Sequence, residues 1–157
     1  MDIPQIIYKV KTATAEEIHF HLKNNKNDFH PALDKRVDIK EYSKKIFDKS
    51  ITFEAWLDKI LIGIVAVYYN DFQNHVGFIT YVNVCKKYTG LGLASELLKM
   101  CVRYAKQNNF KEIKLEVHKN NSPAIHLYKN SGFNNYAIND DLILMKLLIN
   151  SLSQPSS

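Results

Sequence analysis

Between residues 90 and 107, apolar side chains recur at Ala94, Leu97, Leu98, Cys101, Val102 and Ala105, and Glu96, Lys99, Arg103 and Lys106 fall between them. Recurrence at three- and four-residue intervals predicts a long amphipathic helix with one buried stripe. Upstream, residues 3–10 alternate weakly and predict a first strand. Residues 15–25 predict a helix opened by Thr14, with Glu17 placed to complete a capping box. The polar stretch 26–37, which holds Pro31, predicts a loop. Asp38 then caps a second helix to about residue 48, with Ile39, Tyr42, Ile46 and Phe47 on one face.

Residues 51–57 and 60–69 are rich in β-branched and aromatic side chains, and Asp58-Lys59 between them predicts a hairpin. A turn at 70–74 and a strand at 75–84 extend this into an antiparallel meander. After the long helix, Asn108-Asn109 stops the pattern and residues 111–117 alternate as a strand. Ser122-Pro123 opens a short helix that Gly132 ends, because proline suits a first turn. Residues 133–138 and 142–148 predict two last strands. This order of about seven strands and four helices predicts one mixed α/β (α+β) domain over residues 1–150, with 151–157 as a frayed tail.

The chain has 157 residues, a length that suits one domain with its own core, and it carries a net charge of +5. Its lysines are spread and interleaved with carboxylates, as from Asp34 to Glu41, so no nucleic-acid partner is expected. No segment approaches the roughly 20 apolar residues of a membrane span, and residues 1–11 lack a signal-peptide pattern. No membrane association and a cytoplasmic location are the resulting expectations. Cys85 and Cys101 show no metal-ligand spacing, and His118 and His126 lack further ligands, so no metal is expected. His19 and His21 read as surface residues of the first helix.

The chemistry concentrates in two segments. In the first, the strand ending Val82-Asn83-Val84-Cys85 meets Lys86-Lys87-Tyr88-Thr89-Gly90-Leu91-Gly92-Leu93-Ala94-Ser95, where a two-glycine turn opens the long helix. Backbone N–H groups at a helix start lack internal partners, and glycines let a phosphate approach them. Such a turn also serves simply as a tight corner. The second segment runs from Leu115-Glu116-Val117-His118 through Asn121-Ser122-Pro123-Ala124 to Tyr128, Gly132 and Phe133. Together the two resemble the acetyl-CoA-binding core of the GNAT superfamily of N-acetyltransferases. That family's Gln/Arg-x-x-Gly-x-Gly/Ala signature maps onto Thr89-Gly90-Leu91-Gly92-Leu93-Ala94. Its second signature maps onto Asn121, Ala124, Tyr128, Gly132 and Phe133.

The resemblance implies a GNAT-like acyl-CoA N-acyltransferase fold, acetyl-CoA as co-substrate, and direct attack by a primary amine in a ternary complex. It implies that backbone groups of Val82, Asn83 and Val84 pair with the pantetheine arm. Amides from Thr89 through Gly90, Leu91, Gly92, Leu93, Ala94 and Ser95 would hold the pyrophosphate, with Asn121 and Tyr128 near the arm and its sulfur. The spacing Glu116–Asn121–Tyr128 is most similar to enzymes that acetylate ribosomal-protein N-termini, in which the matching Glu accepts a proton and the matching Tyr gives one. Thr89 departs from the family by standing where Gln or Arg is usual, and Lys86 and Lys87 are the nearby charges that would compensate.

An amine acceptor arrives as ammonium, with a pKa of about 10, and must lose a proton before attack. Glu116 is the candidate base, although it reads equally as an outward strand residue between Leu115 and Val117. Backbone N–H groups near Val84 are candidates for the oxyanion. Tyr128 is the candidate acid for the leaving thiolate, and also reads as a packing aromatic. Asn121 reads both as a helix cap and as a cofactor contact. The acceptor is less legible: Phe29, Tyr42, Tyr68 and Tyr69 are candidate walls, and Asp34, Asp38 and Asp71 candidate attractors of a cation. A small amine, a protein amine and a non-catalytic acyl-CoA module all stay open. In related proteins the final strands often pair two subunits, so a homodimer is compatible.

Overall fold

The computed structural model describes residues 5–149. Among them, seven strands form one mixed sheet in the order β1-β2-β3-β4-β5-β7-β6, accompanied by four α-helices. The chain divides into two compact units. One runs up to Ala66 and resumes at Tyr81–Leu97; the other comprises Val67–Thr80 and the chain from Leu98 onward.

The first unit contains β1 (Ile7–Val10), α1 (Ala15–Asn24), α2 (Ile39–Lys49), β2 (Ile51–Leu57), the start of β3 (Ile60–Asp71) and the end of β4 (Val76–Val84). Thr14 and Glu17 form the expected capping box on α1, and the Asp38 side chain accepts from the Glu41 N–H to cap α2. Asp58 and Lys59 both take positive φ (49° and 70°), the conformation a two-residue hairpin turn demands. The predicted first strand shortens to β1, paired antiparallel with β2 from Ile7↔Trp56 to Val10↔Phe53; residues 1–4 and the predicted tail at 151–157 lie outside the described residues. Ile18, Leu22, Ile46 and Ile64 are wholly buried in one apolar cluster, each burial contributing about 1.5–3 kcal/mol relative to exposure.

A buried carboxylate ties this unit together. Glu54 on β2 is inaccessible to solvent and accepts from the N–H groups of Thr12 and Ala13 (both 3.0 Å), the hydroxyls of Thr12 (2.6 Å) and Thr52 (2.5 Å), and the Trp56 indole (3.0 Å). These bonds fix the link between β1 and α1. Next to them, Lys11 Nζ donates to the carbonyls of Phe47 (2.5 Å) and Ser50 (2.6 Å), and so satisfies the C-terminal end of α2.

In the second unit, β4 begins parallel to β5 (Glu112–His118), with register from Val76↔Glu112 to Phe78↔Lys114. β5 pairs antiparallel with β7 (Leu142–Leu148), and β7 with β6 (Asn134–Asn139). Gly77 has no room for a side chain: a Cβ there would lie 2.6 Å from the Tyr69 ring. Tyr69 is itself core, donating to the Cys101 carbonyl at 2.8 Å and packing on Tyr104 and Phe110. It is therefore not a pocket wall. The long helix α3 (Leu93–Gln107) starts three residues later than the apolar stripe predicted, because Gly90 and Gly92 both adopt positive φ. Asn109, at φ 62°, ends the run after it.

Candidate active site

Beyond Val84 the chain makes a short 3-10 turn at Lys86–Tyr88 and then the glycine turn. The Cys85 N–H donates to Ile62 O on β3 at 2.8 Å, so by strand alternation the Val84 N–H points to the opposite edge of β4. The Val84 side chain packs beside Gly63, where an added Cβ would lie 3.3 Å from it. Gly90 (φ 83°) and Gly92 (φ 79°) face open space, with nothing within 4 Å of where a Cβ would stand. The first helical bond of α3 runs from the Glu96 N–H to Gly92 O at 3.1 Å. The N–H groups of Leu93, Ala94 and Ser95 therefore precede the helical ladder, and with the helix dipole they favour an anion. Thr89, the departure from the family signature, turns its hydroxyl back to Lys86 O at 2.9 Å, so its side chain serves the turn. Lys86, Lys87 and Leu91 are exposed.

The other named positions lie in the second unit. Glu116 is exposed on β5, between buried Leu115 and Val117 and opposite Leu144 of β7. Asn121 caps α4 (Ser122–Asn130): its side chain accepts from the Ala124 N–H at 3.2 Å. Tyr128, on the last turns of α4, is buried and meets Phe133 edge-on at 5.9 Å. Burial pushes its phenol well above the ordinary tyrosine range, so it stays protonated. Gly132, at φ 99°, closes α4 with its N–H on Lys129 O.

The acetyltransferase (GNAT) family model matches residues 16–133. The chain belongs to the GNAT family of acetyltransferases. It carries the family's acyl-CoA N-acyltransferase fold, and acetyl-CoA is the family's co-substrate. Among curated relatives, a streptothricin acetyltransferase of Escherichia coli is 29% identical over 86 residues, covering 55% of this chain and 48% of the relative. An N-alpha-acetyltransferase of Sulfurisphaera tokodaii is 36% identical over 77 residues, covering 44% and 46%. The chain thus matches about half the length of each. Among solved structures, a candidate streptothricin acetyltransferase from Bacillus anthracis, in complex with acetyl coenzyme A, superposes with a TM-score of 0.57. It is 28% identical, over 64% of this chain and 62% of that one. Among the described residues of this GNAT domain, no three His, Cys, Asp or Glu side chains are grouped to hold a metal ion.

Several expected acceptor residues have other work in the structure. Asp34 pairs with Lys26 at 3.3 Å, and Asp38 caps α2. Asp71 closes its turn by accepting from the Asn74 N–H at 3.0 Å, a bond that holds its carboxyl below the usual range. Tyr68 and Asp71 line an open cleft of about 550 Å³ with Asn70, Val76 and Glu112.

His21 is not at the surface: it is 2% exposed. Its Nδ1 donates to Leu61 O at 3.0 Å, and its Nε2 lies 3.1 Å from Asn83 Oδ1 on β4. Asn83 Nδ2 in turn donates to Asp28 Oδ2 at 3.0 Å. Burial pushes the His21 imidazole down, against its hydrogen bonds to Leu61 and Asn83. Beside this chain, Tyr81 carries a buried hydroxyl with no hydrogen-bond partner among the described residues. Cys85 is half-buried and takes a hydrogen bond from Asn25 Nδ2 at 3.7 Å; burial raises its thiol, which therefore stays protonated. The signal for His21 was present in the sequence, since it falls on the Ile18–Leu22 face of α1.

Proposed function

We propose that this protein transfers the acetyl group of acetyl-CoA to the primary amine of a small molecule, by direct attack in a ternary complex. The open turn of amides from Gly90 to Ser95 is the observation that carries the cofactor half of this reading: it offers unpaired N–H groups to a pyrophosphate and has glycines where close approach is needed. In this reading the Val84 N–H stabilises the oxyanion, Glu116 accepts the amine's proton directly or through water, and Tyr128 protonates the departing thiolate. The similarity to a streptothricin acetyltransferase supports a small-molecule acceptor.

A second reading, acetylation of protein N-termini, is supported by the 36% identity to an N-alpha-acetyltransferase and by the Glu116–Asn121–Tyr128 spacing. Thiol release from acetyl-CoA against alkylamines, amino sugars and N-terminal peptides separates the two. Acetyl-CoA binding without thiol release on any of them would leave a non-catalytic module.

Because the Thr89 hydroxyl is engaged by the Lys86 carbonyl of its own turn, the exposed Lys86 and Lys87 are the neighbouring charges placed to reach the phosphates. Lys86→Ala with Lys87→Ala should raise the acetyl-CoA Kd about fivefold at low ionic strength, and less as salt screens the pair. Calorimetry at two salt concentrations checks this; an unchanged Kd removes the lysines from the site.

A further inference from the structure

Inside the first unit, four polar groups form one continuous run: the Leu61 carbonyl at the start of β3, the His21 ring on α1, the Asn83 amide on β4 and the Asp28 carboxylate just after α1. The carboxylate sets its direction. An ionised carboxylate accepts and cannot donate, so Asp28 Oδ2 takes a hydrogen from Asn83 Nδ2 at 3.0 Å. The Asn83 amide oxygen is therefore the atom turned to His21 Nε2, at 3.1 Å. Across the ring, Nδ1 stands 3.0 Å from the Leu61 oxygen, which is also an acceptor only. Both ring nitrogens thus face oxygens. A neutral imidazole has one N–H and satisfies one of the two; the other contact then sets a lone pair against a lone pair. An imidazolium satisfies both.

The surroundings set these two forms against each other. His21 is buried, and taking an imidazolium out of water is costly, so its second proton is held only below the ordinary histidine range. The two hydrogen bonds and the charge of Asp28 act the other way. The other titratable groups around the ring carry no charge that replaces Asp28. On β4 the Tyr81 phenol, edge-on to the ring at 6.1 Å, and after it the Cys85 thiol are kept protonated by burial. From α2, Tyr42 packs on Tyr81 at 6.4 Å, and β3 presents the Leu61 carbonyl. A backbone carbonyl within β3 cannot turn away, whereas the Asn83 side chain can. When the second proton leaves, the Nε2 contact is the one that opens.

We propose that His21 is a proton-operated latch between β4 and the connection after α1: with both ring nitrogens protonated it holds Asn83 and, through it, Asp28, and on losing the Nε2 proton to solvent it releases them. Asn83 stands between Val82 and Val84, in the backbone that family resemblance assigns to the pantetheine arm, so the latch carries a change of pH to the cofactor strand. The test is made on the full chain labelled with ¹⁵N, titrated from about pH 7.5 to about pH 4.5, across the ordinary histidine range and above that of aspartate. At the acid end both ring nitrogens of His21 should show directly bonded protons; at the other end Nδ1 alone should. The Asn83 side-chain amide and the backbone amides of Asp28 and Phe29 should shift with the same midpoint. Asp28→Asn keeps an acceptor for Asn83 but removes the charge, and should lower that midpoint by about one pH unit. A His21 ring that keeps one proton throughout, or that titrates while the Asn83 and Asp28 signals stay still, overturns the latch without need of any variant. An unchanged midpoint in Asp28→Asn overturns it as well. These spectra are read without turnover, so they decide the latch whichever amine is acetylated.

Discussion

Tyr128→Phe is expected to lower turnover by about 100-fold or more, while the acetyl-CoA Kd stays within about twofold of the wild-type value. The ring of Tyr128 is buried against Phe133, and phenylalanine preserves that packing, so the fold should be indifferent to the change. What is lost is one acidic hydrogen. Burial holds the phenol protonated across the physiological range, which is the form that a proton donor requires. Steady-state thiol release together with calorimetric Kd values reads both quantities. Equal turnover in the variant would assign the proton to water.

Glu54→Ala should cost about 3–5 kcal/mol of stability and lower the Tm by about 10 °C. Its two oxygens serve five donors from Thr12, Ala13, Thr52 and Trp56, and alanine strands the Thr12 and Ala13 N–H groups where water does not replace the acceptor. Glu54→Gln keeps the shape but turns a donor toward donors, and should recover less than half of the loss. Urea and thermal unfolding of the three proteins settle this. A change below about 1 kcal/mol for the alanine variant would mean that the segment finds other partners.

The sequence carries the local decisions well. Thr14 with Glu17, Asp38 before its helix, Asp58-Lys59 between two strands and Ser122-Pro123 opening α4 are each set by neighbours within four residues, and each stands as expected. The glycine turn was legible as the break that opens the long helix, but its positive φ values, which delay α3 to Leu93, needed the backbone. What could not be read was long-range. Asn83 reaches Asp28 across 55 positions and His21 across 62, and Glu54 collects donors 41 and 42 positions away; neither residue carries a local mark of its partner. Of the acidic residues that looked available, Asp34 is paired with Lys26 and Asp38 caps its own helix, whereas Asp71 closes a turn and also borders the cleft beside Tyr68.

The close fit of Gly77 against the Tyr69 ring couples the side-chain volumes that these two positions can hold. With 2.6 Å between the ring and any first carbon at 77, even alanine is barred while tyrosine stands at 69. A side chain at 77 therefore calls for a smaller residue at 69, and that exchange would also remove the tether to the Cys101 carbonyl.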